Sequence, residues 1–377
     1  MPDIRMPSTE IRIALCTDGV FPHAMGGMQR HSRLLAEHLS AIPGIRLIVI
    51  HPHAPGIFNS GLGIEEVPIA PIDEQRFYLK ELWRYSGRVA AELGRLQPDV
   101  VLSQGFCVWH DIERYSSRLI TMPHGLEMFQ GLTLKDRLLG LPFRMLVRYV
   151  TRRSARVVSL GGKLTPMLAS MTKGSGAQVV VLPNAVHLPA EAPAYPVGGD
   201  ALRLLFVGRF AFNKGIDLLL RVAARFDAEQ AAVRFILAGD GPERAHMERG
   251  TPGNVMLAGK VDDARLEELY AECHALVLPT RFEGMPTVVL EAMARARPVI
   301  VSDVGAAAEL VDAANGFLIP PGDEEALHGA ISSLVAISAE QRAQMGRRGR
   351  ERAAGRFTWP EVAAAFARLA NEVAQRV

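Results

Sequence analysis

Seven residues separate Glu283 from Glu291 in the stretch Phe282-Glu283-Gly284-Met285-Pro286-Thr287-Val288-Val289-Leu290-Glu291-Ala292-Met293. Proline is tolerated in the first turn of a helix, where its missing N–H would have no partner. Pro286 therefore predicts a helix start that leaves Glu283 mobile in the preceding loop and Glu291 fixed on the helix body. The N–H groups of Gly284, Met285 and Thr287 then lie at the positive helix end, where unpaired donors and the macrodipole together hold an anion. Two carboxylates around an anion site suit a nucleotide sugar: sugar hydroxyls on Glu283, phosphates on the N–H groups, ribose hydroxyls on Glu291. On spacing alone a plainer reading stays open, an acidic helix start followed by a solvated glutamate.

Two cations sit in a second loop, Gly208-Arg209-Phe210-Ala211-Phe212-Asn213-Lys214-Gly215. It follows an apolar run at 202–207 and precedes a helical pattern at 216–225, so it reads as a strand-to-helix turn. Arg209 can grip two phosphate oxygens and Lys214 adds a point charge, which makes a diphosphate site; the alternative is a pair of solvated cations. Position favours the phosphate, because open α/β sheets bind ligands at the carboxyl ends of their strands. Gly26-Gly27, after the strand pattern at 11–17, allows close approach of a ligand or a plain turn, and no Gly-x-Gly-x-x-Gly is present. His124, after the short strand at 119–122, either faces a cleft or caps a loop.

These residues need rigid elements to hold them. A chain of 377 residues is too long for one core and predicts about two domains of 150–200 residues. A net charge of +2 gives no global field for nucleic acid. Cys16, Cys107 and Cys273 are far apart in or beside apolar runs, and read as small buried residues of a reducing compartment. Residues 1–10 carry prolines and acids where a signal peptide needs an apolar run, and no apolar run approaches a membrane span, so a cytoplasmic protein is expected.

Strand patterns at 46–51, 99–103 and 178–182 complete the first half with a long helix at 75–96. A basic amphipathic segment at 132–157 has Lys135, Arg137, Arg144, Arg148, Arg152, Arg153 and Arg156 against one acid, Asp136. Such a helix is either a core helix with a cationic face or a surface for anionic membrane. Residues 188–200, rich in Pro, Ala and Gly, read as a linker and hinge. Beyond it, strands at 202–207, 233–238, 255–257, 275–278, 298–302 and 316–319 alternate with short helices, and charged helical patterns at 323–355 and 360–375 close the chain. Two parallel α/β domains are expected.

Gly208-Arg209 with Asn213-Lys214-Gly215, Gly239-Asp240-Gly241-Pro242, Phe282-Glu283-Gly284-Met285-Pro286 with Glu291-Ala292-Met293, and Asn315-Gly316-Phe317-Leu318 with Pro321-Gly322-Asp323 follow one another in order. In this order the chain resembles the family 4 glycosyltransferases, and Gly26-Gly27, His124-Gly125 and Pro183-Asn184 extend the likeness over nearly its whole length. The resemblance implies the GT-B fold: a Rossmann-like acceptor-binding domain at 1–185, a Rossmann-like nucleotide-sugar-binding domain at 186–358, and a helix at 359–377 crossing back to the first. It implies retaining transfer of a sugar, hexose-type, from a nucleoside-diphosphate donor to an acceptor hydroxyl, without a metal or other cofactor.

Carried over residue by residue, Arg209 and Lys214 would hold the diphosphate and Glu283 the donor-sugar hydroxyls, as a positioning group. Glu291 would bind the ribose, His124 the transferred sugar, Gly27 beside Gly26 the phosphates, and the backbone near Val261 the base. Gly284, Met285, Pro286 and Thr287 complete the donor set. No Asp-x-Asp occurs, so the usual carboxylate clamp for a divalent ion is missing. The chain departs from the family where Ala306 follows Gly305, since its methyl group tightens that loop. The acceptor would be a sugar or a lipid-linked glycan of surface polysaccharide, with peripheral membrane contact through the basic helix at 133–156 and no nucleic acid. An epimerase on the same fold, or a non-enzymatic two-domain sugar-binding protein, are the rivals.

Overall fold

The computed structural model describes residues 10–73, 75, 77–129 and 138–376. The segment 1–9 and the basic-helix residues Lys135, Asp136 and Arg137 lie outside these. Two compact units divide the chain, Met1–Asn184 with Trp359–Val377, and Ala185–Thr358.

Unit 1 is built on a parallel sheet of β1 (Ile11–Cys16), β2 (Ile45–His51), β3 (Glu65–Pro68), β4 (Val100–Gln104), β5 (Leu119–Met122), β6 (Arg156–Ser159) and β7 (Gln178–Val181), in the order β3-β2-β1-β4-β5-β6-β7. Every residue of β4 and β5 is buried, which explains their continuous apolar runs: a central parallel strand is covered on both faces. Helices α1 (Gly27–Ser40), α2 (Tyr78–Leu96), α3 (Leu141–Thr151) and α4 (Leu164–Thr172) supply the cover. On α1 the buried His31, Ser32, Leu35, Ala36 and Leu39 recur at helical spacing.

Two sequence expectations change here. The helical pattern at 75–96 becomes a helix only from Tyr78, with Phe77 extended before it. The basic segment expected as one helix to 157 ends at Thr151, and Arg156 is instead a buried residue of β6 whose strand pairs with β5.

Unit 2 carries β8 (Leu202–Val207), β9 (Val233–Ala238), β10 (Val255–Gly259), β11 (Ala275–Leu278), β12 (Val299–Ser302) and β13 (Gly316–Ile319), ordered β10-β9-β8-β11-β12-β13 and all parallel. Its helices include α5 (Ile216–Ala228), α6 (Asp263–Glu272), α7 (Thr287–Ala294), α8 (Glu324–Ala336) and α9 (Ala339–Arg356). The single pattern expected at 323–355 is thus two helices. Ser338 breaks it by capping α9: its hydroxyl accepts from Gln341 N at 3.2 Å while Gln341 Oε1 accepts from Ser338 N at 2.9 Å. After Thr358 the chain re-enters unit 1 as α10 (Trp359–Ala374), which buries Trp359, Val362, Phe366 and Ala370 against α1 and the sheet.

The stretch 188–200 does not hang free as a linker. Arg350 Nη2 donates to Pro189 O at 2.6 Å, and Arg297 Nη2 donates to Ala194 O at 2.9 Å. Arg297, 0% exposed, also donates to Tyr270 O at 2.8 Å and Ala271 O at 3.0 Å, so one guanidinium ties the end of α6 to this segment. Replacing Arg297 by Met fills the space but strands buried carbonyls, and should lower the stability of unit 2 by on the order of 3 kcal/mol. Urea unfolding measures this; a loss under about 0.5 kcal/mol, the size of a neutral surface change, would show that the carbonyls find other donors.

Candidate active site

In unit 2 the strand order reverses direction between β8 and β11, which lie side by side at the centre of the sheet. The loops leaving their carboxyl ends, 208–215 and 279–286, therefore diverge around a crevice of the kind in which open α/β sheets bind ligands. Several contacts lace the two loops together. Arg281 N donates to Asn213 O at 2.8 Å, and Thr280 Oγ1 donates to the same carbonyl at 3.0 Å. Arg281 grips Asp217 of α5 with two nitrogens at 2.6 and 2.8 Å and lies 3.9 Å over the Phe212 ring.

Close approach demands glycine at one point. Gly215 has φ +69°, and a Cβ there would stand 1.9 Å from Pro279 O. Lys214 and Glu283 consequently meet: Nζ donates to Oε1 at 2.6 Å, with side chains 24% and 13% exposed. Glu283 is thus held, contrary to the expectation of a mobile loop carboxylate. Its own loop is fixed from the other side by Ala306 N, which donates to Gly284 O at 2.7 Å. The Ala306 that departs from the family pattern is 0% exposed and packs without disturbing this bond.

Gly305 is the second point where a side chain has no room. At φ +55° its Cβ would fall 2.2 Å from Glu283 O and 2.3 Å from Gly284 O. Pro286 stands one residue earlier than expected, as the N-cap of α7, and the helix begins at Thr287. Among the described residues the N–H groups of Gly284 and Thr287 have no partner, so they remain available to an anion. Arg209 is exposed at the end of β8 and makes no ion pair among the described residues.

Glu291 lies on α7 as expected, but a residue the spacing did not reveal orients it. Tyr270 Oη donates to Glu291 Oε2 at 3.0 Å. Burial, then the neighbouring Glu291 charge, push the Tyr270 phenol well above its ordinary pKa, so it stays a neutral donor. Val261 follows β10, just before Asp262 caps α6, so it too lies at the carboxyl edge of the sheet. The signal for Tyr270 is absent from sequence, since α6 and α7 come together only once β11, between them in the chain, is laid into the sheet.

Unit 1 gathers its expected residues at the same edge of its own sheet. Gly26, at φ +156°, precedes α1, and a Cβ on Gly27 would meet nothing within 4 Å, which leaves the backbone open to a ligand. His124 follows β5 at φ +58°, and its Nε2 donates to Gln104 Oε1 of β4. His31, from the α1 turn after Gly27, meets the His124 ring edge-on at 5.5 Å and the Trp359 ring at 5.4 Å. Neither ring nitrogen of His31 finds a hydrogen bond among the described residues.

Burial drives both imidazoles to the neutral form, His124 to a pKa of about 4 and His31 to about 3, the latter with a smaller contribution from His124. Their folded pKa values lie below the ordinary 6.5. Between pH 6.5 and about 4 the unfolded chain therefore binds protons that the folded chain refuses. The stability of unit 1 is full above pH 6.5 and falls as the pH drops, each group contributing a slope of up to about 1.4 kcal/mol per pH unit. Calorimetric melting from pH 7 to 4 should show this fall, and His31→Phe should flatten it; an equal slope in the variant would contradict the assignment.

Residues 25–189 match the family model described as Glycosyltransferase Family 4, and residues 201–336 match that described as Glycosyl transferases group 1. Sucrose-phosphate synthase from Thermosynechococcus elongatus superposes with a TM-score of 0.82 at 20% identity, over 98% of this chain and 100% of that one. Anabaena HepE, solved in complex with UDP and glucose, superposes with a TM-score of 0.69 at 17% identity, over 96% and 100% of the two chains. Two doubly wound sheets with these neighbours define the GT-B fold. With both halves matched by its models, the chain belongs to the family 4 glycosyltransferases. Among curated relatives, alpha-D-kanosaminyltransferase of Streptomyces kanamyceticus is 30% identical over 138 residues, 35% of this chain and 36% of that protein. The chain thus matches about a third of that relative's length.

Proposed function

We propose that the protein is a retaining glycosyltransferase that moves a hexose-type sugar from a nucleoside diphosphate to an acceptor hydroxyl. The observation that carries this reading is the direct pairing of Lys214 with Glu283 across the two laced loops of unit 2. A cation and a carboxylate held together at a strand-end crevice match a donor with a charged diphosphate beside a hydroxylated sugar. HepE, a neighbour of the same fold, is solved with UDP and glucose, which supports a nucleotide sugar as the ligand class.

In this reading Arg209 and Lys214 neutralise the charge that develops on the departing diphosphate, with the free N–H groups of Gly284 and Thr287 at the start of α7 adding to it. Such preorganised donors are worth several kcal/mol to a transition state. Glu283 holds sugar hydroxyls, Glu291 the ribose and the backbone at Val261 the base. His124 is assigned the transferred sugar, and Gly27 the phosphates. The cations supply the charge that a divalent ion would otherwise bring, so transfer is independent of added metal. The acceptor is a sugar or a lipid-linked glycan of the kind used in surface polysaccharide synthesis.

Thermal-shift screening against nucleotide sugars tests the donor, since a ligand at a hundred times its Kd adds roughly 2.7 kcal/mol of stability. With the donor found, Lys214→Ala should cut kcat about a hundredfold or more, in EDTA as in its absence. NMR of the product should show the donor's anomeric configuration kept. Inversion at the anomeric carbon, or an altered free nucleotide sugar formed without acceptor, would refute the reading.

A further inference from the structure

The charge and apolar surface of unit 1 converge on one face that the donor site does not use. Along α2 and α3 and just before each, large apolar side chains stand in solvent: Phe77 is 73% exposed, Leu138 72%, Met145 66% and Leu139 63%, with Trp83 and Tyr149 at 42% and 39%. Between the two helices runs a groove of about 570 Å³, walled by Leu79, Trp83, Trp109, Pro142, Met145 and Tyr149, with Arg148 and Arg152 at its rim. Contiguous exposure on this scale marks an interaction surface in a soluble protein.

Charge decides the partner. No acidic residue occurs from 138 to 156, while Arg144, Arg148, Arg152 and Arg153 all do. Arg153 is engaged by Glu113 and lies 4.0 Å over the Tyr149 ring, and Arg152 donates to Met171 O and Lys173 O. Arg148 is exposed and makes no ion pair among the described residues. On the α2 side Lys80 is exposed, and Glu81, the residue after it, is buried and paired with Arg84 at 2.6 Å.

A free sugar is a poor occupant, because the groove wall is hydrocarbon and aromatic and would strip its hydroxyls of water without replacing the hydrogen bonds. Protruding side chains rather than a closed pocket also argue against a single enclosed ligand. We propose that this face docks on an anionic phospholipid bilayer: Phe77, Leu138, Leu139 and Met145 enter the headgroup-acyl boundary, a lipid chain lies in the groove, and Arg148 meets the phosphates. The contact involves unit 1 alone and goes beyond the donor reading; it holds or fails whether or not the chain transfers a sugar.

Cosedimentation of the full chain with phosphatidylglycerol vesicles and with phosphatidylcholine vesicles, in the absence of any nucleotide sugar, tests the idea. Binding should favour the anionic vesicles, and bromine-labelled acyl chains should quench tryptophan fluorescence, less so in Trp83→Phe. Arg148→Ala should weaken partitioning about fivefold, and Leu139→Asp with Met145→Asp at least about tenfold. Both changes fall on exposed positions, so melting temperature should hold and binding loss cannot be laid to unfolding. Absence of binding to anionic vesicles, or equal binding by the double variant, overturns the proposal. So does self-association in ultracentrifugation that the double variant abolishes without vesicle binding, which would give the face to a second copy.

Discussion

The approach of two loops at the centre of the second sheet, where the Cα of Gly215 stands against the carbonyl of Pro279, is the constraint on which unit 2 depends. A parallel sheet that winds both ways from its middle sends the chain after β8 and after β11 to opposite faces, leaving both loop starts at one edge. Without a glycine in the left-handed region the first loop would stand off from the second. Asn213 would lose the bonds from Arg281 and Thr280, and Lys214 could not meet Glu283. Gly305 imposes the same closeness on the far side of the Glu283 loop. The carboxylate is thus fixed by three backbone segments, and its ion pair is a result of their packing.

Unit 1 solves a different problem. Its edge residues include two imidazoles that the fold keeps neutral by excluding water, and it places them edge to face rather than in hydrogen bond to one another. A neutral His124 whose Nε2 proton is committed to Gln104 presents a defined tautomer. The left-handed backbone at His124 aims the ring, a conformation that tertiary packing must sustain.

Much of the architecture was legible because central parallel strands are apolar end to end, and glycine and charged loops punctuate them. The stretch 202–215 announced strand, turn and helix, and the motif order carried the family. Long-range contacts left no trace in local pattern: Tyr270 reaches Glu291 and Arg297 reaches Ala194 only once the sheet has brought their elements together. Strand β3 was missed because an edge strand of Glu65, Glu66, Val67 and Pro68 buries one residue and defends its edge with acids and proline. The capping box at Ser338 and Gln341 was visible in principle, yet the helical periodicity on either side masked it. The 188–200 stretch has the composition of a linker because few of its side chains can pack; its order comes from arginines elsewhere and from Tyr195, whose hydroxyl donates to His274 O at 3.1 Å.

Val186 and Thr358, which stand beside the two points where the chain passes between units, form a single parallel bridge. Topologically the second body is spliced into the first. On the ribosome, the residues of α10 that cover His31 are made after all of Ala185–Thr358. The earlier-made half must therefore wait with an open flank while the later-made half, whose segment is continuous, can close on its own.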